Sequence, residues 1–291
     1  MTSVISVICF LVLAPFVGGL LEGLERKISA RMQGRVGPPV LQPFYDVRKL
    51  MNKQTIVVNK AQTLLIVTFF ILQIFTGCLF YAGSDIMLCF FLLSTGATFL
   101  VFAGSVTYSP SSTLGANREL LQMMAYEPAV LLACVGFYLA NKTFNVSEII
   151  GAHNSSILYL PGFFIAYVFI LTIKMRKSPF DLSTSHHAHQ EVVKGITTEL
   201  GSRNLALYQI TEWYENVFLL SVLGLFIVNS NPISYVVAVV VVLAVWFLEI
   251  LIDNTSARVK WYVLLRVTWI VTSLAAGINL LILMITRRKL L

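Results

Sequence analysis

Ala61-Gln-Thr-Leu-Leu-Ile-Val-Thr-Phe-Phe-Ile-Leu-Gln-Ile-Phe-Thr-Gly-Cys-Leu-Phe-Tyr-Ala-Gly83 passes through Ser84-Asp85 into Ile86-Met-Leu-Cys-Phe-Phe-Leu-Leu-Ser-Thr-Gly-Ala-Thr-Phe-Leu-Val-Phe-Ala-Gly-Ser-Val-Thr-Tyr108. Asp85 carries the only formal charge in this stretch. A helix needs roughly 20 apolar residues to cross a bilayer, so each run predicts one crossing. The link Gly83–Asp85 leaves room for little more than a reversal of direction. Beyond this hairpin the chain keeps the same character. Its 291 residues are 57% apolar and 12% charged, with mean hydropathy +0.80. A soluble domain averages about 45–50% apolar and about 25% charged. An ordinary soluble enzyme and a disordered chain are both excluded, and the prediction is an all-α polytopic membrane bundle in one domain, 1–291.

Extending the hydropathy pass predicts eight spans: Ser3–Leu21, Ala61–Gly83, Ile86–Tyr108, Glu119–Ala140, Ile157–Met175, Trp213–Val228, Ile233–Ile252 and Trp261–Ile285. Two connections are long and polar, Glu22–Lys60 and Arg176–Glu212. With the N-terminus outside, the cytoplasmic connections hold 16 of the 21 Lys and Arg, counting Lys174 at the lip of the fifth span. That bias sets the predicted orientation, although the basic tail Arg287-Arg-Lys points the other way. In the first long loop, Pro43 suits a helix start. Phe44, Tyr45, Val47 and Met51 can then share a face of a short helix, either lying in the membrane interface or covering the bundle. Cys9, Cys78, Cys89 and Cys134 lie in apolar runs without a CxxC pair, which leaves no cysteine ligand set for iron–sulfur or structural zinc.

Ionisable residues inside spans mark functional candidates, because each costs about 2.5–3.5 kcal/mol at mid-membrane. At 100° per residue, Glu119, Gln122 and Tyr126 form a stripe on the fourth span, and Glu127 lies about 80° away. Pro128 removes an N–H and frees the Met124 carbonyl. Glu212 and Glu215 face the same way at the start of the sixth span, a setting for proton relay or for helix-dipole complementarity. Glu249 lies near the end of the seventh. The second long loop carries His186, His187, His189 and Glu191. Their spacing matches no standard metal site, and proton exchange or a partner contact suits them equally well.

Taken together, Glu25-Arg-Lys, Arg35-Val-Gly-Pro, Leu41-Gln-Pro, Tyr126-Glu127, Pro179-Phe-Asp-Leu, Glu191, Gly195, Glu199 and Glu212 resemble the H subunit of respiratory complex I, in order over most of residues 22–216. The chain is shorter between Pro38 and Leu41. After Pro179-Phe-Asp it has Ser183-Thr-Ser-His-His-Ala-His-Gln-Glu in place of an acidic stretch. That form resembles the homologous membrane subunit of energy-converting (group 4, Ech-type) nickel–iron hydrogenases.

The resemblance implies an anchor and coupling subunit in a prokaryotic cytoplasmic (inner) membrane, part of a membrane-bound oxidoreductase that links ferredoxin and proton redox chemistry to H⁺ or Na⁺ translocation. It implies peripheral large, small and iron–sulfur subunits docking on loops 22–60 and 176–212, and an antiporter-like neighbour in the bilayer. The nickel–iron site and the clusters would lie in those partners, with no cofactor, metal or nucleic acid bound by this chain. Glu191 and Glu199 would open a proton path that continues through Glu127, Glu212 and Glu215, with Glu249 a further member. Arg26, Arg35, Asp181, His187 and His189 would shape loops or meet partners. The alternatives are a quinone-site subunit of a complex I-type enzyme, a stand-alone ion transporter and a purely structural anchor.

Overall fold

Proline, asparagine and aspartate placed just ahead of apolar runs decide where the helices begin. A computed structural model of the chain describes residues 2–54, 59–184 and 194–288. The helices are α1 (Thr2–Met32), α2 (Gln42–Met51), α3 (Lys60–Tyr81), α4 (Ile86–Ser105), α5 (Pro110–Asn141), the short α6 (Val146–Ile150), α7 (Pro161–Lys174), α8 (Ser202–Leu225), α9 (Ile233–Thr255), α10 (Trp261–Thr272) and α11 (Ile278–Arg288). Asn59 caps α3 by accepting from Ala61 N at 3.0 Å. Asp85, the charge in the opening hairpin, caps α4 by accepting from Met87 N at 2.7 Å. These caps satisfy amide groups that a helix start leaves open.

Among the described residues, six helices are long and apolar enough to cross a membrane, counting α10 and α11 as one helix broken by a π turn at Ser273–Gly277. The eight expected spans each correspond to a helix, but four ends move. The first helix runs on to Met32 rather than stopping at Leu21. The fourth begins at Pro110, so Glu119 sits well inside it instead of opening it. The fifth is only 14 residues, because Pro161 starts it late. The sixth starts at Ser202, placing Glu212 and Glu215 in mid-helix rather than at its start. Pro128 does not break α5, which is continuous through it.

Large apolar side chains on α1, α9 and α11 face outward, Ile8, Val240 and Ile285 among them at 55–61% exposure. In water this surface would aggregate; in a bilayer it meets solvent of its own kind. The buried core is built mainly from α3, α4, α5, α7 and α8. One end of the bundle is closed by short links: Ile86 N donates to Phe144 O, and Ile157 N to Phe226 O. At the other end lie α2, the C-termini of α1, α7 and α9 and the N-terminal part of α8.

Helix α2 packs as the Pro43 argument requires, with a shift of face. Phe44 sits against Trp213 of α8 and Phe16 of α1, ring centroids 5.2 and 6.3 Å away. Tyr45 and Met51, expected on this face, turn outward. Gly19 makes the contact possible, because a Cβ there would lie 2.5 Å from the Phe44 ring.

Candidate functional site

The segment Lys174-Met-Arg-Lys177 ends α7 and organises the charged end of the bundle. Three cations in four residues are all buried, with 4–8% exposure. Buried charge is tolerated only when paired, and each cation goes to a different place. Lys174 Nζ donates to Glu215 Oε1 on α8 at 2.9 Å and lies 4.7 Å from the centre of the Tyr126 ring on α5. Arg176 Nη2 donates to Glu119 on α5 at 3.0 Å, and its Nη1 to Glu212 on α8 at 2.6 Å. Lys177 donates to Glu25 on α1.

The neighbouring residues continue the pattern. Ser178 N donates to Asp253 of α9 at 2.8 Å, and Thr172 Oγ1 lies 3.5 Å from Glu249, also on α9. Residues 172–178 thus touch carboxylates from α1, α5, α8 and α9. Helix α8 can present Glu212 and Glu215 together because positions three apart share a face. Tyr208, one turn earlier, donates its hydroxyl to Glu212 at 2.7 Å. Burial disfavours the Arg176 and Lys177 charges, yet the surrounding anions, Glu119 first for Arg176 and Glu25 first for Lys177, hold both above their ordinary values.

Of these groups, Glu25, Lys174, Arg176, Lys177, Glu212, Glu215 and Asp253 line a cavity of about 410 Å³ between α1, α8, the 174–177 segment and the chain around Gly37, and Glu119, Tyr208 and Glu249 do not. Arg26 closes part of its rim. It donates to Glu22 on its own helix and to Asp46 of α2 at 2.9 Å, while Trp213 Nε1 donates to Glu22 at 2.5 Å. Arg35 is exposed and donates to Gln33, which reaches Asn254 of α9 at 3.0 Å.

The Pro179-Phe-Asp-Leu turn packs beside this site. Gln122 donates to Phe180 O, Val259 N to Pro179 O at 3.1 Å, and Arg258 Nε lies 4.0 Å from the buried Asp181. Glu119, Gln122 and Tyr126 all point inward, as their stripe predicts. Glu127 is half-buried and lines a separate small hollow with Phe90 and Ser94. Glu199 is half-buried and does not line the main cavity. Glu249 is fully buried, and its Oε2 has no partner among the described residues. His187, His189 and Glu191 lie outside the described residues. Among the described residues, no three His, Cys, Asp or Glu side chains cluster as a metal site.

Sequence reasoning singles out the acids and passes over the cations that hold them. Read along the chain, Lys174, Arg176 and Lys177 bear only on orientation, and Glu25 only on a motif. The available signal is the run of three bases directly after an apolar helix, in a chain with acids at matching depth on other helices.

Residues 4–284 match the family model described as NADH dehydrogenase, and the chain belongs to that family. It is similar to hydrogenase-4 component C of Escherichia coli (strain K12), with 27% identity over 285 residues, 88% of this chain and 89% of that protein. It is also similar to NADH-ubiquinone oxidoreductase chain 1 of Dictyostelium citrinum, with 31% identity over 70% of this chain and 71% of that one. The H subunit of the NADH-quinone oxidoreductase of Rhodospirillum rubrum is 30% identical over 73% of this chain and 69% of its own length. In fold, the chain matches one from the membrane-bound sulfane sulfur reductase, an archaeal respiratory membrane complex, with a TM-score of 0.86, 24% identity, and coverage of 97% of this chain and 100% of that one. These relatives are subunits of membrane oxidoreductase complexes, the class to which the chain is assigned.

Proposed function

We propose that the chain is the membrane anchor and coupling subunit of an energy-converting hydrogenase complex. The observation that carries this reading is the charged cavity at one end of the bundle, lined by acids from α1, α8 and α9 and by the segment leading into loop 176–212. Such a site suits conversion of a redox event in a docked arm into proton movement through the bundle. The hydrogenase-4 relative, which aligns over most of both chains, supports the hydrogenase assignment.

In this reading the large, small and iron–sulfur subunits dock on loops 22–60 and 176–212 and hold the nickel–iron site and clusters. Ferredoxin exchanges electrons there, this chain holds no redox centre, and an antiporter-like neighbour moves H⁺ or Na⁺. The chain lies in a prokaryotic inner membrane with its N-terminus outside. Glu191 and Glu199 admit protons, Glu127, Glu212, Glu215 and Glu249 pass them on, and His187 and His189 face partners. Purification of the tagged complex tests this. Nickel, ferredoxin-dependent hydrogen evolution and coupled ion uptake in vesicles are expected; a nickel-free complex that reduces quinone replaces it.

That second reading, a quinone-site subunit, is favoured by the size of the cavity and by the quinone oxidoreductase relatives.

A further inference from the structure

We propose that the outward face of the last helix, along Arg266, Ser273 and Gly277, is the docking surface for a transmembrane helix of a neighbouring subunit that carries a carboxylate at the depth of Arg266. This deepens the reading of the chain as one subunit of a membrane complex and rests on it. Trp261 and Tyr262, both exposed, open α10 at the charged end of the bundle, as aromatic residues do where a helix enters the bilayer. Arg266 lies about 8 Å further along the axis and is exposed. Among the described residues it has no hydrogen bond, ion pair or ring contact. A charged side chain inside a span is paired or faces a polar surface, and among the described residues nothing supplies the anion.

Two further positions on that face are also unfilled. Ser273 follows Arg266 by two helical turns and so shares its side. Its exposed hydroxyl has no hydrogen-bond partner among the described residues, whereas the exposed Thr95, Thr255 and Thr286 each donate to the carbonyl four residues earlier at 2.7–2.8 Å. The π turn Ser273–Gly277 then sets Gly277 about one turn below Ser273. A Cβ at Gly277 would meet nothing within 4 Å, so the glycine leaves a notch that its own bundle does not fill. In lipid, small residues let helix backbones approach closely and serine hydroxyls bond across helices. A cation, a hydroxyl and a notch in line along one helix therefore match an acid, an acceptor and a close-packed turn on another.

Charge and depth decide the occupant. A lipid phosphate can reach Arg266, because helical side chains lean toward the helix N-terminus and here that is toward the interface. It cannot serve Ser273 and Gly277, about 10 and 16 Å deeper, where a bilayer offers only hydrocarbon. A second copy of this chain has no acid to offer at this depth: Glu119, Glu215 and Glu249 are buried in their own bundle, and Glu127 faces the hollow beside Phe90 and Ser94. The partner is a different membrane subunit. Its helix carries Asp or Glu close to the charged-end interface and a residue that seats in the Gly277 notch about 16 Å further along.

The test uses the purified, tagged complex. Arg266→Gln, Arg266→Lys, Gly277→Leu and, as a control on the outward face of α9, Val240→Leu are compared with wild type. The readouts are the chain's own level in the membrane and the amount of every other membrane subunit recovered with it. Arg266→Gln and Gly277→Leu are expected to leave the chain's level unchanged and to cut recovery of one and the same membrane subunit about tenfold. Arg266→Lys keeps most of that subunit, and Val240→Leu all of it. With Ser273 replaced by a photoreactive benzophenone residue, illumination is expected to crosslink that same subunit. Arg266→Glu is expected to lose it, and an acid-to-Arg change on the crosslinked helix to restore it. Crosslinks to lipid alone, with every subunit retained in every variant, overturn the docking surface and leave the multisubunit reading standing. A crosslink to a second copy of this chain overturns the choice of partner. If Gly277→Leu lowers the chain's own level, the crosslink and the charge reversal decide without it. A wild-type complex that holds no other membrane subunit overturns both this surface and the coupling reading.

Discussion

Arg176 Nη1 meets Glu212 Oε1 at 2.6 Å while its Nη2 meets Glu119 Oε1 at 3.0 Å, so one side chain at the end of α7 ties α8 to α5. Residues 36 and 57 positions apart in sequence thereby share one charge. The arrangement makes the charged end a single electrostatic unit rather than a set of independent ion pairs.

The Lys174–Glu215 pair is buried on both sides, at 5% and 6% side-chain exposure. Replacing one member strands the other. Lys174→Met or Glu215→Gln alone should lower stability by about 3–5 kcal/mol, and the double variant by less than the worse single one. Thermal unfolding of the purified complex in detergent measures all four members of the cycle. Additive losses would show that the pair has no coupling energy.

Lys177 gives a pH dependence of known sign. Its folded value is raised above the ordinary 10.5. The stability it contributes is therefore complete below that ordinary value and is lost as pH rises through the higher folded one. Lys177→Met should remove a stabilising contribution at neutral pH and flatten the alkaline limb of the stability profile. An alkaline limb identical to wild type would contradict the Lys177–Glu25 assignment.

Gly19→Leu should dislodge α2. A side chain there meets the Phe44 ring, and overpacking of this kind costs about 1–3 kcal/mol. The expected readout is faster tryptic cleavage at Arg48 and Lys49, with helix content nearly unchanged. Cleavage at the wild-type rate would mean that α2 is held mainly by Arg26–Asp46.

Glu127 and Glu119 occupy different surroundings on one helix, and ion uptake separates them. Glu127→Gln should leave assembly intact and reduce uptake about a hundredfold if Glu127 passes protons. Unchanged uptake in a fully assembled variant removes it from the path and leaves Glu119, beside Arg176, as the acid of α5.

Asp85→Ala removes the cap of α4 and should lower stability by about 1 kcal/mol without changing electron transfer. A variant with altered electron transfer would assign Asp85 more than a structural role.

The helices were legible because their signals are local. Apolar length and Pro43 act within a few residues of where they stand. The inward stripe Glu119–Gln122–Tyr126 was legible for the same reason, since helical periodicity alone puts those side chains together. Helix ends were less so: α1 and α8 continue past their apolar parts, because pairing with other elements, not hydropathy, supports Glu22, Glu25 and Glu212 there.

By itself, then, the sequence determined that the chain is a multi-span helical bundle, roughly where each helix lies and which acids are out of place in a membrane. Only the tertiary structure decided what those acids are paired with. A charge's partner is set by distance in space, and in this fold the cations for Glu25, Glu119, Glu212 and Glu215 all come from four consecutive residues at the end of α7.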